Sequence, residues 1–350
     1  MRARRTILVC ASVLFGVCQP APAEKPRSEY RVVFASARDL GRQLEAAGRE
    51  GYACVAVARP DSGAAPPGVV VILSRVVGSP AAPVSHRVIA GGWASLDASL
   101  LDRAGGEGFR LCGVTLNEEP PNPAVVAILS RTAGPPVAAR YAVEILKIYK
   151  ESLVRLGAGG RDGFVPVAAA PVGDNRVPDM RSWLVVTERA GAAPAPQEIA
   201  VRSNSLPGRF QEALNESGGQ GYRVNLVWKE GNDFVAMMSR PVGSKGSFAY
   251  VAEAMETSKV HWVKGLPLAD LPHRGDERVV VSDPGAPASN DLEEDALPPV
   301  SRSGAVDAEA LEVLGNHLTR HRGSEPVFAR IRKGSNGTFV LATVVTQRSP

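Results

Sequence analysis

Short stretches of alternating apolar and polar residues recur along this chain, and each is followed by apolar positions at helical spacing. Tyr30-Arg-Val-Val-Phe34, His86-Arg-Val-Ile89, Tyr141-Ala-Val-Glu-Ile145 and Glu198-Ile-Ala-Val201 alternate and predict strands. The helix predicted after each strand carries Leu44, Leu101, Leu156 or Leu214 on its inward face. A small residue three places on (Ala47, Ala104, Gly159 or Ser217) shares that face, where it lets the helix approach a sheet closely. Two further strands complete each stretch. The first is Phe109-Arg-Leu-Cys-Gly-Val114 or Tyr222-Arg-Val-Asn-Leu-Val-Trp228, with the ring, Leu111, Val224 and Leu226 on one face and Arg110, Arg223 and Asn225 on the other. The second is Val69 to Arg75, Val125 to Arg131, Leu184 to Arg189 or Val235 to Arg240, and every copy ends on arginine.

The helix and the hairpin are joined by a recurring phrase: a leucine, two residues, a small residue, Gly, two residues, then Gly and an aromatic ring. It closes at Gly51-Tyr52, Gly108-Phe109, Gly163-Phe164 and Gly221-Tyr222, with closing glycines 57, 55 and 58 residues apart, the period of a repeated supersecondary unit. The closing glycine suits the left-handed position that ends a helix, and the ring after it suits the position that packs back on the last turn. All four rings are therefore expected to be buried at matching places. The predicted fold class is α+β: tandem βαββ repeats with helices packed on mainly antiparallel sheets, spanning residues 29–78, 85–134, 140–192 and 196–243. A divergent fifth repeat covers 247–350 and contains a flexible insertion at about 256–304. A unit of about 50 residues buries little core alone, so neighbouring units are expected to pack together.

Leucine, Gly at +4, Gly at +7 and an aromatic at +8, followed by a short strand, resemble the small bacterial strand-helix-strand-strand domain of unknown function whose usual motif runs Leu-Asn-Glu-Leu-Gly-x-Glu-Gly-Trp-Glu-Leu-Val. The likeness covers most of residues 29–243; this chain has Tyr or Phe for the tryptophan and a small residue for the second leucine. That family carries no established catalytic residues, so the resemblance implies a fold and transfers no site.

The N-terminus changes the remaining counts. Arg2, Arg4 and Arg5 precede the apolar run Thr6 to Val17, and Ala21-Pro-Ala23 supplies small residues at −3 and −1 of a signal-peptidase site. Residues 1–23 read as a signal peptide cleaved before Glu24, which places the mature chain in the bacterial periplasm or outside the cell. A lipid anchor on Cys18 is disfavoured by Val17 before it. The arginine pair also resembles a twin-arginine signal, although arginines are ordinary in any such n-region. No other segment has the roughly 18–20 apolar residues of a membrane span. Removing the three arginines lowers the formal charge from +4 to +1, a balance poorly suited to nucleic acid, whose binding rests on phosphate neutralisation. Cys54 and Cys112 remain, in a compartment that permits disulfides. Alternation places Cys54 on the inner face and Cys112 on the outer face, so they are expected to be unbonded to each other; one β-bulge would reverse that parity.

Candidate chemistry is sparse. Gly157-Ala-Gly159-Gly160-Arg-Asp-Gly163 closes a helix, whereas a phosphate-binding loop opens one. Glu50, Glu107, Asp162 and Gln220 precede the closing glycines and recur alongside the strand-ending arginines, as pairs within units or as solvated side chains. The fifth repeat breaks the pattern. Its helix, Val306 to His321, places His317 and His321 four residues apart, and His261 and His273 are the further candidates for a shared divalent metal. Counting three residues from Leu314 or Leu318 puts an imidazole where the other repeats have a small residue. Two readings follow: a non-catalytic extracytoplasmic protein that binds an unidentified protein or ligand, with no cofactor, or a metal-binding protein or metal-dependent enzyme with its site at His317 and His321.

Overall fold

The computed structural model describes residues 28–58, 68–78, 82–92, 95–117, 124–146, 149–172, 182–191, 194–230, 233–255 apart from 245 and 249, 278–282, 292–296, 311–312, 315–316, 319, 324–333 and 340–348. Four βαββ units follow one another. The first is β1 (Ser28–Ala35), α1 (Ala37–Arg49), β2 (Ala53–Ala58) and β3 (Val69–Val76); the second is β4 (Ser85–Ala90), α2 (Ala98–Gly106), β5 (Arg110–Asn117) and β6 (Ala124–Arg131). The third is β7 (Ala139–Leu146), α3 (Tyr149–Arg161), β8 (Val165–Val172) and β9 (Ser182–Ala190); the fourth is β10 (Gln197–Asn204), α4 (Pro207–Gly219), β11 (Arg223–Glu230) and β12 (Asp233–Pro241). Each unit forms an antiparallel three-stranded sheet with its last strand in the middle: β1-β3-β2, β4-β6-β5, β7-β9-β8 and β10-β12-β11.

The four helices α1 to α4 end in the same way. The closing glycines have φ of 85°, 86°, 85° and 89° at residues 51, 108, 163 and 221, where a residue with a Cβ is strained. The amide of Gly51 donates to the carbonyl of Gly48 and that of Tyr52 to the carbonyl of Ala47, and the matching bonds recur at Gly108 and Phe109, Gly163 and Phe164, and Gly221 and Tyr222. These paired bonds satisfy carbonyls that the helix end leaves without partners, and they turn the chain into the next strand with its ring folded back. Tyr52 and Phe109 are buried as expected, while Phe164 and Tyr222 are half-buried.

The first glycine of each phrase has a different role, invisible in any single unit. A Cβ built on Gly48 would lie 2.1 Å from the carbonyl oxygen of Val84; on Gly105, 2.2 Å from that of Ala139; on Gly160, 2.7 Å from that of Gln197; on Gly218, 2.2 Å from that of Phe248. Each partner is the beginning of the next unit, so each helix lies between its own sheet and its neighbour's first strand: α1 on β4, α2 on β7, α3 on β10, and α4 on β13 (Val251–Met255). The carbonyl of Gly48 accepts from Val84, and that of Gly218 from Phe248.

Cores are consequently shared between units. Leu44, Tyr52, Val71 and Leu73 of the first unit cluster with Val88, Val126 and Ile128 from the outer face of the second sheet. Leu101, Phe109 and Leu129 pack with Tyr141, Ala168, Leu184 and Val186, and Leu156, Trp183 and Val185 with Leu226, Val235 and Met237. The middle strands are covered on both faces, which is why Val69 to Leu73 and Val125 to Leu129 are unbroken apolar runs.

This stacking corrects the expectation for the cysteines: Cys54 and Cys112 form a disulfide. The parity assigned from the sequence is sound, with Cys54 on the inner face of unit 1 and Cys112 on the outer face of unit 2. The outer face of unit 2, however, meets the inner face of unit 1, and both cysteines pack against the same cluster. Cys112 is moreover the bulged residue of β5, between Leu111 and Gly113. Matching bulges lie between Cys54 and Ala56, Pro166 and Ala168, and Val224 and Leu226.

The C-terminal part departs from the sequence expectation. Within residues 256–304, expected to be a flexible insertion, the chain forms β14 (Arg278–Ser282), paired with β13, and β15 (Leu292–Ala296). A fifth three-stranded sheet is β15-β17-β16, with β16 (Ser324–Lys333) and β17 (Val340–Arg348). Its order matches the other four, so its first strand is the acidic segment Leu292–Ala296. Sheet pairing here overrides the low strand preference of consecutive acidic residues. Between Pro326 and Phe328 lies a fifth bulge.

Candidate functional site

The polar groups that recur between units gather around the closing rings of α1, α2 and α4. In unit 1 the Arg31 guanidinium lies 4.4 Å and that of Arg75 4.7 Å from the centre of the Tyr52 ring. Arg31 binds Glu50 in a two-pronged pair at 2.8 and 2.6 Å. Arg75 donates from Nε to Glu29 at 2.9 Å and from Nη1 to the carbonyl of Glu50, at the end of α1, at 3.3 Å. The strand-ending arginine is therefore a helix C-cap, placed where the negative end of the helix favours a cation.

Unit 2 repeats the arrangement without the strand-1 carboxylate. Arg87 and Arg131 lie 4.4 and 4.8 Å from the centre of the Phe109 ring. Arg87 pairs with Glu107, and Arg131 donates to the carbonyl of Glu107 at 3.1 Å. In unit 4, Arg240 lies 4.5 Å from the Tyr222 ring centre and caps the carbonyl of Gln220. It also donates from Nε to Glu198 at 2.7 Å, which accepts from the Tyr222 hydroxyl at 2.9 Å.

A rule internal to the chain follows. Opposite the strand-ending arginine stand Glu29, Ser85, Arg140 and Glu198 in units 1 to 4. The glutamate occurs in the two units whose ring is tyrosine, where it accepts a hydrogen bond from the phenol, and is absent where the ring is phenylalanine. It meets the hydrogen-bonding demand of a partly buried phenol.

Electrostatics agree with this reading. Burial raises the Glu29 carboxyl, but hydrogen bonds from Tyr52 and Arg75 outweigh it and hold the group below the usual 4.5. Hydrogen bonds from Arg240, then Tyr222, lower Glu198. Burial, with the Glu29 bond second, pushes the Tyr52 hydroxyl up to about 12. Carboxyls held low contribute stability that is complete above their unfolded value and is lost as pH falls through the folded one. Urea midpoints should therefore be lower at pH 3 than at pH 7, and Glu29→Gln with Glu198→Gln should reduce that difference. An unchanged difference would contradict the assignment. The effect should be modest, because both pairs face water.

Junctions between units use another recurring group. The amide of Tyr141 donates to Asp102 of α2, and its hydroxyl accepts from the amide of Leu111 at 2.9 Å and donates to the buried Glu188 at 2.9 Å. Tyr250 repeats this on unit 4, with its amide on Asn215 and its hydroxyl on the amide of Val224 and the carbonyl of Tyr222. At the matching place His86 sits between the carbonyl of Tyr52, 2.8 Å from Nε2, and the Ser130 hydroxyl, 2.9 Å from Nδ1. Burial pushes its pKa down, so it is a neutral packing residue.

Beside the unit 1 cluster a cleft of about 500 Å³ opens between units 1 and 2, lined by Glu29, Gly51, Ser74, Arg75, Val77 and Thr132. Its two charged side chains are paired with each other. Gly157, Gly159 and Gly160 lie in the C-terminal half of α3, and Gly163 follows its end. Among the described residues no three His, Cys, Asp or Glu side chains are grouped to hold a metal ion, and no helix is long and apolar enough to cross a membrane. His317 and His321, the candidate metal residues, lie outside the described residues, as do His261 and His273. The sequence matches no protein-family model and no curated protein. The structure thus supports the strand-helix-strand-strand repeat, and no particular family is attached to it.

Proposed function

We propose that the mature chain is an exported, non-catalytic binding or scaffold protein whose stacked units present one repeated surface. The observation that carries this reading is the recurrence of the arginine, aromatic and glutamate cluster at the helix ends of units 1, 2 and 4, on side chains engaged with one another. Groups tied to caps and rings in this way hold a surface in place, whereas acid-base catalysis asks for groups poised near neutral pH. Export is supported by the signal-like N-terminus and by the Cys54–Cys112 bond, which persists in oxidising compartments.

The test is expression from the complete chain in a bacterial host, followed by N-terminal sequencing, thiol titration and metal analysis of the purified protein. The proposal expects a mature chain beginning at Glu24 in the periplasm or medium, with no free thiol and no stoichiometric metal. Retention of Met1 in the cytoplasm would contradict export. Stoichiometric metal lost on replacing His317 and His321 would favour the metal-dependent reading instead. A pull-down on the mature protein, compared with an Arg31→Ala and Arg87→Ala variant, asks whether the repeated cluster contacts a partner.

A further inference from the structure

In units 2 to 4 the outer face of each sheet is covered by the helix of the unit before it. No helix among the described residues precedes unit 1, yet its outer face is also buried: Val32 is 4%, Val70 2% and Ile72 2% exposed. These side chains point away from the α1 core, which takes Val33, Val69 and Val71. We infer that the two ends of the array dock on each other, the helix of the last unit seating on β1 as each earlier helix seats on the next unit.

Two contacts define this closure. The amide of Tyr30 donates to Thr319 Oγ1 at 3.0 Å. Tyr30 thereby makes the bond that Tyr141 makes with Asp102 and Tyr250 with Asn215; in sequence each acceptor directly follows a leucine, at 101, 214 and 318. One turn earlier, Gly315 approaches β1 so closely that a Cβ there would lie 3.0 Å from the Tyr30 carbonyl oxygen. The Thr319 hydroxyl donates in turn to the carbonyl of Gly315, which fixes the oxygen toward the strand. Advancing along the helix corresponds to moving back along the strand, as at the junction of α2 and β7. An open stack would need a polar outer sheet on its first unit; this chain has valines and an isoleucine there and covers them with its own C-terminal unit.

The closure is tested on the complete mature protein by hydrogen exchange, with Gly315→Trp as the disrupting variant and Gly157→Trp as control, since nothing lies within 4 Å of a Cβ at Gly157. In the wild-type monomer, residues 28–35 should exchange as slowly as residues 139–146. Gly315→Trp should speed exchange at residues 28–35 by about tenfold or more and leave 139–146 unchanged, because protection follows the local opening equilibrium; Gly157→Trp should leave 28–35 unchanged. Exchange at 28–35 unaffected by Gly315→Trp would overturn the inference, whether or not the last unit is itself disturbed. So would a native mass of two chains, which would give β1 to the helix of a second copy.

Discussion

Gly105→Ala is expected to destabilise the protein by about 1–3 kcal/mol, the range for forcing atoms into a packed contact, although alanine is the better helix former by about 1 kcal/mol. The new Cβ would stand 2.2 Å from the carbonyl oxygen of Ala139 and 2.9 Å from a ring carbon of Tyr141. The first is backbone of the next unit's strand, so relief requires α2 and β7 to separate. That movement stretches the Tyr141 bonds to Asp102 and Leu111. Gly157→Ala, in the interior of α3 with open space around it, should instead stabilise by up to about 1 kcal/mol. Urea denaturation of both variants measures the contrast. Equal effects of either sign would show that helix preference, and not the junction, governs these glycines.

The second large effect concerns the disulfide. Cys54 and Cys112 are 58 residues apart, and closing a loop of that length removes unfolded-chain entropy worth about 4 kcal/mol. Replacing both cysteines by alanine should cost roughly that much, offset in part if the small side chains settle into the cluster around Val57 and Val126. The loss should appear as earlier unfolding of units 1 and 2, with unit 4 less affected, because its core of Phe210, Leu214, Phe234 and Met238 contains no group from either. Thermal unfolding with and without reductant, read by peptide-resolved hydrogen exchange, separates the two. A uniform shift across all units would mean that the array unfolds as one body.

Much of the unit was legible because its signals are local. The Leu-to-aromatic phrase encodes a helix end, and the paired bonds at Gly51, Gly108, Gly163 and Gly221 follow from residues a few places apart. What the sequence concealed lies between units. Gly48, Gly105 and Gly218 are unremarkable within their own helices, and only a neighbouring strand shows why a Cβ is excluded. The disulfide was missed for the same reason: the cysteines were assigned to the right faces, but the meeting of one unit's inner face with the next unit's outer face was not foreseen. Past the bulge at Asn225 the alternation fails, and Leu226, expected on the face of Val224, packs in the cluster on the other one. The uninterrupted apolar runs Val69 to Leu73 and Val125 to Leu129 signalled that both faces were covered. Unit 5 was misread around Leu292–Ala296 because composition was weighed above the prospect of pairing with β17. The tyrosine-glutamate rule at the helix ends could have been found from Glu29 and Glu198 by aligning the units on their strand-ending arginines.

The central claim, that the inner face of one unit meets the outer face of the next in a constant way, can be tested by moving the disulfide one junction along. Leu111 occupies in unit 2 the place of Cys54, before the bulge, and Val167 is the bulged residue of β8 as Cys112 is of β5. Both pack against the cluster shared by units 2 and 3. Peptide mapping under non-reducing conditions of the Leu111→Cys, Val167→Cys variant, with the native pair retained, should recover two links, 54 to 112 and 111 to 167. Free thiols at 111 and 167 in a folded protein would contradict the repeated stacking.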